Sequence, residues 1–199
     1  MEQELYEVLS TAWGESLPLE LASVVAYKMT RATIKKGAII LRPGEINQRL
    51  YFIQRGMMRA YCVKDGVEKT RWIKAESEFV VSISSFWTQS PSVEYIHAIE
   101  DTDVFSISHV EFWGICRKHV EFAFIGLVHL SRVLVEWDIH LGTVLDLDVT
   151  ERFEWFVEQH GQLLNRVPGV PGKHIASFLG MTPETFSKVK AKYFKMTAG

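Results

Sequence analysis

The feature that most constrains this chain is a double change in the spacing of its apolar residues. From about Ala32 to Ile107, short β-branched and aromatic runs alternate with turn signals, in TIKKGAIILRPGE, LYFIQRGMMRAYCVKDGVEKTRWI and YIHAIEDTDVFSIS. On either side of that stretch the apolar residues recur at steps of three and four. The first pattern suits half-buried strands and the second suits helices. Asp65-Gly66, between AYCV and VEKTRWI, predicts a hairpin, because glycine tolerates the positive φ of a type I′ turn. Several short strands at this spacing predict an antiparallel jelly-roll barrel with helices before and after it, an α+β chain.

Residues 3–30 read as one or two amphipathic helices, carrying Leu5, Val8, Leu9, Leu21, Val24 and Val25 and broken near Gly14 and Pro18. Beyond Ser108, Val120, Ala123, Leu127, Leu130, Leu134, Trp137, Leu141 and Val144 follow alternating steps of three and four, the a/d stripe of a coiled coil. Phe124, Val128, Val135 and Ile139 add a second apolar line. A helix apolar on two faces needs two partners. The expectation is that one face packs on the barrel and the other on the same helix of a second subunit; the alternative is a core helix within a monomer. Asp148-Val-Thr-Glu151 restarts a helix with capping-box chemistry; it carries Phe153, Phe156 and Val157 and is expected to fray at Gly161, before a loop, NRVPGVPG. The expected organisation is a barrel with flanking helices over 1–119, a long dimerisation helix over 120–147 and a helical domain over 148–199.

Charge is uneven along the chain. The formal net charge is −2, yet from Gln162 onward Arg166, Lys173, Lys188, Lys190, Lys192 and Lys195 face a single acid, Glu184, leaving that segment about +5 and the remainder about −7. Such a split suggests a local polyanion site. MEQELYEVLS carries no basic n-region followed by an apolar run, so no signal peptide is expected. Phe122 to Val135 contains His129, Ser131 and Arg132 and is too short and polar to span a bilayer. Cys62 and Cys116 match no metal or redox spacing and read as free, buried thiols of a cytoplasmic protein.

The basic tail contains HIASFLGMTPETFSKVKAKYF, His174 to Phe194, which reads as two short helices and a tight turn. The first runs from about Lys173 to Leu179, with Ile175, Phe178 and Leu179 turned to a core; Gly180 can close it in the left-handed conformation. Thr182 can cap the second, and Pro183 suits its first position, where an N–H is not needed. Phe186, Val189 and Tyr193 then form a buried stripe, and Glu184 and Lys188 share the opposite face. This is helix-turn-helix spacing, in which the second helix enters the major groove N-terminus first. Lysine can donate to guanine and glutamate can accept from cytosine N4. Lys173, Thr182, Thr185 and Lys190 are placed to hold phosphates. The plainer reading makes Glu184 and Lys188 an intrahelical surface pair.

Barrel, long helix and terminal helix-turn-helix, in that order, resemble the bacterial Crp–Fnr transcription regulators. The residues carrying the resemblance are Gly37, Gly44, LYFIQRGMMRAY with Gly56, the Asp65-Gly66 turn, LDVTERF as the hinge and HIASFLGMTPETFSKV as the reading element. It implies a homodimer on a palindromic operator of double-stranded DNA, with RNA polymerase as a further partner. It implies base contacts from Glu184 and Lys188, lysine standing where the family has arginine and losing the bidentate fork, while Pro183 stands at a second arginine position. Thr150, Thr182 and Thr185 match phosphate-contacting positions. The chain ends soon after the second helix, so little or no β-hairpin wing is expected, and flanking contacts would fall to Lys192 and Lys195.

In nucleotide-binding relatives a Gly-Glu pair and a later arginine hold the cyclic phosphate. Here Val81 and Ser82 replace the pair, Ser92 replaces the arginine, and Trp137 and Asp138 stand on the long helix where polar groups meet the base. A buried phosphodiester without that arginine is poorly compensated, so no cofactor is expected and cyclic AMP is not the expected effector. Ser82, Ser84, Ser85, Ser90 and Ser92, with Phe86, Trp87 and Tyr95, can line a pocket for another small molecule or fill a ligand-free barrel. Two cysteines cannot supply an iron–sulfur cluster's cysteine set, and no metal site is expected. His97, in an alternating strand, reads as a hydrogen-bonded core residue rather than a ligand. No nucleophile elbow, phosphate-cradling loop or HExxH is present, which argues against an enzyme. The competing reading is a barrel sensor that signals through protein contacts, with a terminal domain no longer competent for DNA.

Overall fold

The computed structural model describes residues 3–165 and 169–197. Residues 166–168, which hold part of the expected loop NRVPGVPG and Arg166 of the basic tail, lie outside the described residues. The chain forms two compact units, Met1–Cys62 with Trp72–Arg132, and Val63–Arg71 with Val133–Gly199.

In the first unit, helices α1 (Gln3–Trp13) and α2 (Leu19–Lys28) precede the strands, separated at Gly14 as expected. Strands β1 (Thr30–Ile34), β3 (Arg49–Arg55), β6 (Phe79–Val80) and β8 (Thr102–Ser108) make one sheet, in the order β1-β8-β3-β6. Strands β2 (Ile39–Leu41), β4 (Met58–Lys64), β5 (Val67–Lys74) and β7 (Tyr95–Ala98) make the other, in the order β2-β7-β4-β5. The paired strands run antiparallel, as in β3 against β8 and β4 against β7. The jelly-roll expectation therefore holds. Asp65 and Gly66 both have positive φ, 53° and 75°, as the I′ turn between β4 and β5 requires.

The sheets close on Leu41, Ile53, Met58, Ala60, Trp72, Val80, Ile96 and Val104, which meet in one buried cluster. Period-two alternation sends Phe52 and Ile107 to the other face of the first sheet. Helices cover that face with Leu5 and Leu9 of α1, Leu21 and Val25 of α2, and Phe112 and Ile115 of α4 (His109–Cys116). Gly56, between β3 and β4, has φ +106° and passes so close to β8 that a Cβ would lie 2.6 Å from Thr102 Cα. Only glycine fits there.

Three local features differ from the sequence reading. A short helix α3 (Ile83–Thr88) interrupts the stretch read as strands and turns, whereas α4 begins directly after Ser108, where the helical spacing was expected to start. On the long helix α5 (Val120–Asp146), the residues buried in the first unit are Phe122 and Ile125, with Val128 partly buried, not the expected line through Phe124, Val135 and Ile139. Those three are 45–58% exposed. The line is displaced because only the first turns of α5 meet this core, and a rotation of about 100° per residue leaves Phe124 on a neighbouring face. Phe124 instead sets its ring edge-on to Trp13, 5.6 Å away. Both cysteines are free and half-buried rather than buried.

The second unit contains the hairpin tip, the remainder of α5, and helices α6 (Val149–Asn165), α7 (Gly172–Phe178) and α8 (Pro183–Thr197). The capping box at α6 is reciprocal: Asp148 Oδ1 accepts from the N–H groups of Thr150 and Glu151 at 2.7 and 3.0 Å, and Glu151 Oε2 accepts from Asp148 N–H at 2.8 Å. α6 does not fray at Gly161. It kinks at His160 (φ −134°, ψ 22°) and continues. No described helix is long and apolar enough to cross a membrane.

Candidate nucleic-acid interface

Helices α7 and α8 are joined as the sequence requires. Gly180 takes φ +67° and closes α7, while Thr182 Oγ1 accepts Thr185 N–H at 3.2 Å and caps α8. Ile175, Ala176 and Leu179 of α7 and Phe186 and Val189 of α8 are buried; Phe186 meets Phe153 of α6, which also meets Tyr193. Burial of this stripe turns Thr182, Pro183, Glu184, Ser187 and Lys188 to solvent.

The exposed N-terminal face of α8 has a defined ionisation state. Glu184 is held below the usual carboxylate range first by its own backbone N–H, then by the Thr182 hydroxyl, with a smaller contribution from Lys188. An anion fits the positive end of a helix, and an ionised carboxylate can only accept hydrogen bonds. Ser187 was not singled out from sequence, although it lies three residues from Glu184 on the same face; its hydroxyl donates to Pro183 O at 2.9 Å. The signal that would have found it is that helical spacing.

The remaining expected contact residues are distributed over α6, α7 and α8. Lys173 at the start of α7 is exposed, Thr185 and Lys190 are half-buried, and Thr150 is half-buried in the first turn of α6. Lys192 contributes to lowering the Asp148 carboxyl, after the backbone N–H groups of Glu151 and Thr150.

Three contacts hold the helix pair in place. Arg152 of α6 donates from Nε to Leu147 O at 2.9 Å and from Nη1 to Leu179 O at 3.3 Å, joining the end of α5 to the turn after α7. His140 of α5 stacks on Phe178. Ser177 Oγ accepts Thr70 N–H at 2.9 Å and donates to Glu68 O at 3.1 Å, on the free edge of β5. None of these was legible in the sequence.

Along α5 the apolar residues Val135, Trp137 and Ile139 are exposed, and so is a line of six, Val120, Phe124, Leu127, Leu134, Leu141 and Leu145. These lie at a/d spacing, with Ser131 and Asp138 in the two gaps. Of the expected dimer stripe, Leu127, Leu134, Trp137 and Leu141 are exposed, Leu130 and Val144 half-buried, and Val144 stands beside Gly180.

The expected effector residues divide. Ser82, Ser85 and Ser92 are buried together, while Ser84 is exposed on α3. Their hydrogen bonds are mutual. Asn47, which the sequence reading missed, accepts Ser82 N–H at 2.7 Å, and its own N–H donates to Ser85 Oγ at 2.9 Å. Ser85 Oγ donates to Ser90 O, and Ser92 Oγ donates to Glu94 O while accepting Glu94 N–H. Ser82 and Ser92 hydroxyls are 3.4 Å apart. Phe86 and Trp87 pack among Phe112 and Trp113, whereas Tyr95 stacks on Tyr61 in the other sheet, so the three aromatics line no common space. Trp137 and Asp138 are exposed on α5, in the second unit. His97 Nδ1 accepts from Arg59 Nε at 3.3 Å on the face of β4 and β7 turned away from the sheet–sheet core, where the Arg59 guanidinium also lies 4.2 Å from the Tyr61 ring centre.

Residues 31–119 match the cyclic nucleotide-binding domain family. FixK2 from Bradyrhizobium japonicum superposes with a TM-score of 0.72 at 18% identity, over 85% of this chain and 86% of that one. A structure assigned to the Crp/Fnr family from Eubacterium rectale gives 0.69 at 18%, over 91% and 85%. The global regulator CLP of Xanthomonas campestris gives 0.67 at 17%, over 90% and 93%. Residues 31–119 are thus similar to the cyclic nucleotide-binding domain, and the chain shares the fold of these structures. The last two of these structures are described as a transcriptional regulator and a global regulator of gene expression. By sequence, no curated protein matches the chain.

Proposed function

We propose that this Crp–Fnr-type protein is a sequence-specific transcription regulator that binds a palindromic operator as a homodimer. The observation that carries the reading is the solvent-facing start of α8, where ionised Glu184, Ser187 and Lys188 share one face above a threonine cap. Glu184 accepts from a cytosine N4 and Lys188 donates to a guanine in the major groove. Thr150, Lys173, Thr182, Thr185 and Lys190 hold phosphates and fix register. The exposed a/d line of α5 is the dimer seam, with Leu127, Leu134 and Leu141 at its centre, and it sets the two α8 helices about 34 Å apart. RNA polymerase is the partner through which such a dimer acts.

We further infer that cyclic AMP is not the effector. The buried serines of the cassette segment satisfy one another through Asn47 and Glu94, and Ser92 offers no charge to a phosphate. If an effector binds there, it is a small neutral molecule that exchanges hydrogen bonds with Ser82, Ser85 and Ser92.

The test is selection of bound sequences from random duplex DNA by the purified chain without added ligand. Enrichment of a palindrome supports the reading. Weak binding to every sequence, with a shallow dependence on salt, would favour a barrel that signals through protein contacts instead.

A further inference from the structure

The first helix of the reading pair ends on an aromatic cluster that DNA binding does not use. His140, on the last third of α5, lies face to face with Phe178 at the end of α7, ring centres 4.1 Å apart and planes 10° apart. Trp155 of α6 closes a third side, 5.9 Å from His140 and 6.4 Å from Phe178. Beyond Phe178 sits His160, 6.1 Å away, at the residue where α6 kinks. Nδ1 of His140 is buried and has no hydrogen-bond partner. Three helices thus meet on one imidazole.

A neutral imidazole tolerates this place. With the proton on Nε2, Nδ1 is an unused acceptor, a modest cost, and the flat ring stacks on Phe178. An imidazolium does not fit, because both nitrogens are then donors and Nδ1–H would point into a site with no acceptor. We propose that the His140–Phe178 stack is an acid-released clamp on the helix-turn-helix: the neutral ring holds α7 against α5 and α6, and protonation lets α7 go.

The surrounding charges do not offset this. Glu136 stands one turn earlier on α5, Arg152 and Glu158 one turn either side of Trp155 on α6, His160 at the kink, and His174 one turn before Phe178 on α7. The hairpin meets α7 through the backbone carbonyl of Glu68. Burial is the one cause that lowers His140 below its ordinary value near 6.5; no neighbouring carboxylate raises it. The clamped form therefore binds fewer protons than the released form. Its advantage is complete above pH 6.5 and declines as pH falls below it. At pH 5.5 one such histidine can shift the opening equilibrium by at most about tenfold.

The clamp regulates the element assigned above to DNA, but its test needs no DNA, so the two readings fail separately. Amide hydrogen exchange of the full chain, corrected for intrinsic rates, is compared at pH 7.5 and 5.5. The expected result is loss of protection in α7, up to about tenfold, in the wild type and none in His140→Phe. Unchanged protection in the wild type, or the same loss in His140→Phe, would overturn the proposal. Should His140→Phe not fold, the wild-type imidazole is titrated by NMR. A His140 midpoint well below 6.5, shared by the α7 amides, supports the clamp; a midpoint at or above 6.5 refutes it.

Discussion

Ser177 and Thr70, 107 residues apart, share a hydrogen bond in which the serine hydroxyl stands in for a missing strand. β5 is the outermost strand of its sheet, so no further strand lies beside its outer edge. One hydroxyl serves both the N–H of Thr70 and the C=O of Glu68. Ser177→Ala should leave the helices intact, cost about 1–2 kcal/mol, and speed exchange of the Thr70 amide at neutral pH. An unchanged Thr70 exchange rate would show that the contact is not made in solution.

Reading by α8 predicts a split between specificity and affinity. Lys188→Ala should weaken operator binding by about 1–3 kcal/mol and relax one operator position, and Glu184→Gln should relax another. Lys173→Ala should weaken binding to every sequence alike and reduce the salt slope by about one. Fluorescence anisotropy on the selected operator and on single-base variants separates the cases. A uniform loss in Lys188→Ala would make that residue a phosphate contact.

The exposed line of α5 sets a test of assembly. Leu134 is 63% and Leu141 56% exposed in the single chain. Leu134→Glu with Leu141→Glu should therefore leave the fold of the chain unperturbed while giving a monomer by light scattering, with operator affinity reduced at least a hundredfold. A double variant that remains dimeric would move the seam elsewhere.

His129 predicts a pH dependence within the first unit. Its ring lies edge-on to Phe79, 4.8 Å away, and Nε2 is buried without a partner. Burial, helped by Arg132, lowers its pKa to about 4. The unfolded chain takes up a proton near pH 6.5 while the folded chain does not, so stability falls as pH drops from 6.5 toward 4. The loss attributable to this residue is of order 3 kcal/mol. Urea midpoints at pH 7 and 4.5 for wild type and His129→Gln provide the comparison, and an equal fall in both would exclude His129 as the source.

Gly56 predicts a purely steric effect. A methyl group there would meet Thr102 Cα at 2.6 Å and Asp101 O at 2.7 Å, at φ +106°. Gly56→Ala should destabilise the chain by about 2–4 kcal/mol, read as a lower denaturant midpoint with an unchanged slope.

Sequence by itself determined what is local. Alternation of period two marked the strands, Asp65-Gly66 marked the hairpin, Asp148 and Glu151 marked the start of α6, and Gly180, Thr182 and Pro183 marked the turn between α7 and α8. These depend on backbone preferences and on bonds between residues two to four positions apart, so the chain carries them wherever it goes. Only the tertiary structure decided which line of α5 is buried, since Phe122 and Phe124 are equally apolar and differ only in the direction they point. It alone paired Arg59 with His97, closed Ser82 and Ser85 around Asn47, and set His140 on Phe178 and Ser177 on Thr70. Such contacts join residues far apart in sequence, and their formation depends on strand register and helix rotation, where a shift of one residue turns every side chain to a different neighbour.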